Sequence, residues 1–67
     1  MIKIKKSKDQ YETYKNIVNT MVDSEEVKRF LDAMGYKCMK AVAEELLELY
    51  KHWDLYKEDD EYIYIKE

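Results

Sequence analysis

The stretch "DDEYIYIKE", residues 59–67, decides how this chain is read. Over residues 61–66 the pattern alternates strictly, with Ile63 and Ile65 on one side and Tyr62 and Tyr64 on the other. A two-residue period marks a half-buried strand, and isoleucine and tyrosine both favour strands. A strand needs a partner, because unpaired backbone amides and carbonyls are costly and a lone strand is unstable. One other stretch has this period: "MIKIKK" at residues 1–6, where Ile2 and Ile4 alternate with Lys3 and Lys5. The chain ends are therefore expected to pair with their isoleucines inward. Lys3, Lys5, Tyr62 and Tyr64 would then share the opposite face.

Between the ends the period becomes helical. Ser7 and Gln10 have capping-box spacing, and Asp9 suits the positive start of a helix. Tyr11, Tyr14, Ile17, Val18, Met21 and Val22 then recur at three- and four-residue steps, which predicts a helix over residues 8–22. Asp23 and Glu26 repeat the capping signal, and Val22 and Val27 fall where a hydrophobic staple would place them. Val27, Phe30, Leu31 and Met34 form one apolar stripe of a second helix, residues 24–34. Gly35 stops it, since glycine alone enters the left-handed position after a helix without penalty.

A third helix is expected over residues 37–57. Met39, Val42, Leu46, Leu49, Trp53 and Tyr56 line it, and Ala43, Leu47 and Tyr50 widen the stripe. The width suits a central helix covered from two sides rather than a coiled-coil seam. Lys40 with Glu44, and Glu48 with Lys51, have ion-pair spacing, worth a few tenths of a kcal/mol each. "KEDDE" at residues 57–61 reads as an acidic connector.

The expected fold is α+β: a single small domain over residues 1–67, with three helices and a short strand at each terminus (β-α-α-α-β). The strands would pair within the chain or across a dimer. Two strands leave open edges, so the pattern predicts a homodimer through the terminal strands, with helix three as the alternative contact.

Size limits what holds such a domain together. A chain of 67 residues hides only about 60% of the surface its unfolded form exposes, and chains of this size often add a disulfide, a metal or a second copy. One cysteine permits no intrachain disulfide, and one cysteine with one histidine makes no zinc motif. Charged residues are 40% of the chain and the net charge is −3, which fits a soluble protein. No apolar run approaches the roughly 18 residues of a membrane helix, and the lysine-rich start lacks an apolar core of signal-peptide length. With the lone cysteine, these features predict a cytoplasmic protein with no membrane partner. Aromatics at 13%, one glycine and no proline argue against disorder.

Few residues suggest chemistry. His52 follows Glu48 by one helical turn, but acid–base work needs a pocket and a positioned partner. Near the end of a helix a histidine simply suits the dipole. Cys38 lies in the first turn of helix three between Lys37 and Lys40, a setting that makes a thiol more reactive. Cysteine is also a common small buried residue. Glu58, Asp59, Asp60 and Glu61 stand in a row without the spaced ligands and turn glycine of a calcium loop. One glycine builds no phosphate-cradling loop of the usual kind, and a chain this short leaves little room for a pocket of ~300 Å³. The sequence therefore predicts no enzyme, no cofactor and no metal.

Two surfaces remain. Glu44, Glu45 and Glu48, together with Glu58, Asp59, Asp60, Glu61, Tyr62 and Tyr64, would meet a basic surface on a partner protein and steer its approach. Lys3, Lys5, Lys6 and Lys8 stand without an acid among them and are the alternative, nucleic-acid-binding set, with tyrosines to stack on bases. Pairing of the chain ends would bring them against the acids and partly cancel them.

Helices two and three, joined by "MGYK", allow a helix-turn-helix, but Glu44, Glu45 and Glu48 on the third helix would be repelled by phosphates. The first half, a strand followed by two helices with outward Lys3 and Lys5, resembles ribbon-helix-helix repressors in outline. That resemblance implies a dimer whose paired strands read the major groove; the third helix and final strand depart from it. The Lys-, Glu-, Tyr- and Ile-rich composition resembles that of small orphan proteins of phages and mobile elements, many of which inhibit or regulate host machinery. The expected function is thus a small non-enzymatic protein-binding module of inhibitor or regulator type. A dimeric β-ribbon DNA-binding regulator and a structural or assembly subunit are the alternatives.

Overall fold

The chain ends pair, and they pair within one chain. The structure, a computed structural model, describes residues 1–66. Strand β1 (Ile2–Lys5) runs antiparallel to β3 (Tyr62–Ile65), matching Ile2 to Ile65, Lys3 to Tyr64, Ile4 to Ile63 and Lys5 to Tyr62. The isoleucines face inward: Ile4, Ile63 and Ile65 are buried, and Ile2 packs at the margin. Helices α1 (Gln10–Met21), α2 (Glu25–Met34) and α3 (Tyr36–His52) lie between the strands in sequence.

Helices α1 and α2 each start where a side chain satisfies a free amide, one or two residues from the expected cap. Asp9, rather than Ser7, caps α1 by accepting from the Tyr11 amide at 2.9 Å. Ser7 instead accepts from the Asp9 amide and receives no capping-box return from Gln10, which meets the Tyr36 hydroxyl. Ser24, rather than Asp23, caps α2 through the Val27 amide. That shift moves the staple positions onto Asp23 and Lys28, so the Val22–Val27 staple is lost. Gly35 separates α2 from α3 at φ 94°, ψ −170°, a region essentially reserved for glycine. This is an extended left-hand conformation rather than the expected left-handed helical cap, and it lets one residue end α2 and open α3.

The largest departure is the end of α3. The apolar period continues to Tyr56, yet the helix stops at His52. Asp54 takes φ 59°, the Asp54 amide donates to Lys51 O and the Leu55 amide donates to Tyr50 O. These are the two hydrogen bonds of a Schellman motif, with aspartate where glycine usually stands. Aspartate tolerates the left-handed region better than most residues, so no glycine is needed. The chain reverses, Trp53 is left 65% exposed, and Tyr56 joins a third strand, β2 (Tyr56–Glu58).

Strand β2 pairs antiparallel with β3, matching Tyr56 to Ile65, Lys57 to Tyr64 and Glu58 to Ile63. The sheet order is β1-β3-β2. The expected acidic connector is thus half strand, half hairpin turn. Of the two open edges that suggested a dimer through the terminal strands, the one on β3 is covered by the chain's own β2, while β1 stays at the edge of the sheet. The β1 strand, on which the ribbon-helix-helix outline rested, is bonded to β3 of the same chain.

One cluster forms the core: Ile4, Ile17, Val18, Leu31, Met39, Ala43, Leu47, Ile63 and Ile65. The helices cover one face of the sheet, with α1 against β1 and α3 against β2. The other face of the sheet is left bare.

Candidate functional site

The residues with catalytic potential do not assemble. His52 is exposed at the end of α3, its ring edge-on to Trp53 at 6.0 Å. Glu48 turns to Lys51 at 3.7 Å instead of to His52. Cys38 is half-buried and packs against the core. Among the described residues no three of His, Cys, Asp and Glu converge as a metal set, and no helix is long and apolar enough to cross a membrane.

The acidic residues are divided among different tasks. Glu44 faces Lys40 at 3.9 Å and Glu48 faces Lys51, as their spacing predicts, while Glu45 is exposed. Glu58 alternates to the helix-covered side of the sheet and pairs with Lys6. That hydrogen bond, first among its causes, holds the Glu58 carboxyl below the usual range. Asp59 organises the β2–β3 turn. Its carboxylate accepts from the Tyr64 hydroxyl at 2.7 Å and from the Glu61 and Tyr62 amides at 2.8 and 2.7 Å. These bonds, led by the Tyr64 hydroxyl, lower the Asp59 carboxyl and raise the Tyr64 phenol. Asp60 and Glu61 are exposed at the hairpin tip. The structure therefore commits Glu48 to Lys51 and Glu58 to Lys6 and leaves Asp60 and Glu61 exposed.

The basic set is partly gathered. Lys3, Lys5, Tyr62 and Tyr64 share the bare sheet face, as the alternation required. Lys57 joins them opposite Tyr64. The Lys3 ammonium sits 4.7 Å from the Tyr62 ring centre and 5.8 Å from that of Tyr64. Lys6 does not join this face. Its amide donates to Glu61 O and its ammonium to Asp59 O, so it bolts β1 to the hairpin. Lys8 is exposed beside it, at the rim.

The surface that sequence reading missed is on α2. Of its apolar stripe only Leu31 enters the core; Val27, Phe30 and Met34 are 43%, 61% and 59% exposed. Spaced three and four apart, they lie on one side of the helix. The polar side turns toward α1, where Asp32 accepts from the Tyr11 hydroxyl at 2.9 Å and faces Lys15 at 3.7 Å. Residue spacing shows that these apolar groups share a face; it carries no signal of whether another element covers it. On α3, Leu49 and Trp53 are likewise exposed.

No protein-family model matches the chain, and neither a curated protein nor a solved structure is similar to it.

Proposed function

We propose that this chain is a small non-enzymatic protein-binding module, a regulator or inhibitor of a partner protein, and that it docks through α2. The observation that carries this reading is the bare stripe of Val27, Phe30 and Met34. Contiguous exposed apolar groups on a small domain mark interaction sites, and an amphipathic helix presenting anchors at this spacing fits an apolar groove. Asp23, Glu25 and Glu26 lie at the N-terminal end of that helix. The matching partner therefore has an apolar groove with a basic rim at one end, where opposite charge orients the approach.

A photo-crosslinking residue at position 30 tests this in the cells that make the protein. The expected result is one discrete adduct that disappears when Val27→Ser and Met34→Ser are combined with it. The same crosslinker at Lys57 should not form that adduct. No adduct, or one indifferent to those changes, overturns the reading. An adduct of twice the chain's mass makes the partner a second copy and replaces the regulator reading with a dimer contact.

A further inference from the structure

The bare face of the sheet has a chemistry of its own. Lys3 and Lys5 on β1, Lys57 on β2 and Lys66 just beyond β3 surround Tyr62 and Tyr64, following the alternation of each strand. Four lysines are gathered there on a chain whose net charge is −3. Among the described residues the one acid on that face, Asp59, is engaged by three hydrogen bonds within its own turn. Asp54, Asp60 and Glu61 lie at the two turns that bound the face.

We infer that this face binds a single-stranded nucleic acid, with Tyr62 and Tyr64 as stacking platforms and Lys3, Lys5, Lys57 and Lys66 as phosphate contacts. A positive track beside aromatic rings is what single-strand binding requires, because every base has a π-face and every phosphate a charge. The two rings lie 6.2 Å apart and are tilted by 43°. That spacing exceeds the ~3.4 Å rise of a stacked strand and suits bases splayed apart.

Both ends of the ring pair open into hollows. Beside Tyr64, one of about 190 Å³ is lined by Met1, Asp54, Leu55, Tyr56, Lys57 and Lys66. Met1, Leu55 and Tyr56 offer a base apolar contact there, and Lys57 and Lys66 offer charge to its phosphate. Beyond Tyr62, the other is lined by Lys5, Lys6 and Lys8, with Asp60 and Glu61 opposite. Lys3 covers Tyr62 in the free protein. A base arriving on that ring displaces the ammonium, which then reaches the adjoining phosphate.

A rigid helix of duplex exposes no base faces to stack, so the face discriminates by strandedness. This inference is independent of the α2 reading, since the helices cover only the opposite side of the sheet.

Fluorescence anisotropy with a labelled twelve-nucleotide oligo-dT, its duplex, and polyglutamate as competitor tests the inference on the full chain. Binding of the single strand should weaken steeply with salt. Lys3→Glu with Lys57→Glu should lower affinity at least ~10-fold and flatten the salt slope by ~0.7 per lysine. Tyr62→Leu should lower it ~5-fold or more, as loss of one base stack does, with an unchanged thermal melt. Lys40→Glu, on α3, should change little. Three results would overturn the inference: no binding at 100 μM protein in 50 mM salt, preference for the duplex, or indifference to Tyr62→Leu. Polyglutamate competing as well as the oligonucleotide would also overturn it, and would make an acidic protein segment the ligand.

Discussion

Helices α1 and α2 carry the same kind of apolar spacing and differ in what happens to it. In α1, Ile17 and Val18 are buried, and Tyr11, Tyr14 and Met21 pack against the core. In α2, one residue of four, Leu31, is buried, and the other three face solvent. The difference lies in the neighbours. Helix α1 packs against α3 and β1 and so is wedged between the longest helix and the sheet, whereas α2 leans on the far side of the pair and touches no strand closely. A helix at the margin of a small core packs along one side only and has an apolar side left over. That leftover side costs the monomer solubility, which is why it reads as a place for something else to bind.

Ile17, which is 1% exposed, is the residue on which the burial of α1 depends most. Ile17→Ala should destabilise the domain by about 2–5 kcal/mol, the range for truncating a buried aliphatic side chain, read by chemical denaturation. For a chain this small that is a large part of its total stability. Gly35, the hinge that aims α2, comes next. A Cβ at that position meets no atom within 4 Å, so the cost of Gly35→Ala is backbone conformation alone, about 1–3 kcal/mol. Failure to see a loss would mean the α2–α3 junction relaxes freely and the direction of the stripe is not determined by it.

Smaller effects sharpen the contrast. Asp54→Gly should stabilise by about 0.5–1 kcal/mol, because glycine occupies the left-handed residue of a Schellman motif without strain. A decrease in melting temperature would place the end of α3 elsewhere. Phe30→Ser should change stability by no more than about 0.5 kcal/mol, as exposed positions do. A loss comparable to that of Ile17→Ala would show that Phe30 is covered.

At neutral pH the last effect is nil. Burial, with Glu58 adding to it, pushes the Tyr56 phenol from 10.0 up to about 12. The fold therefore favours the neutral phenol. Its stabilisation is complete below pH 10 and is lost as pH rises toward 12. Denaturation midpoints across that window should fall, and fall less in Tyr56→Phe.

Much of this was legible in the residues. The isoleucine alternation at residues 2–5 and 62–65 required a strand pair with the helices on one side, and that pair is present, antiparallel and with its isoleucines matched. The ion pairs Lys40–Glu44 and Glu48–Lys51 followed from helical spacing alone. The end of α3 was not legible, because Trp53 and Tyr56 continue the period past a turn made by an aspartate. The signal was Asp54 itself, a residue that tolerates φ > 0, followed two residues later by strand-favouring Tyr56. The acidic row at residues 58–61 was legible as charge but not as structure. Strand alternation sends Glu58 and Asp59 to opposite faces, and a turn then consumes the Asp59 oxygens.

Local chemistry by itself determined which residues share a face, which ends must pair, and roughly where each helix begins. Those follow from the periods of helix and strand and from the need to satisfy backbone amides, which operate within a few residues. Only the tertiary structure decided which faces are covered. Burial depends on how many neighbours a small core can supply, and this one supplies enough for α1, α3 and one side of the sheet. The apolar side of α2 and the lysine–tyrosine side of the sheet remain in solvent for that reason.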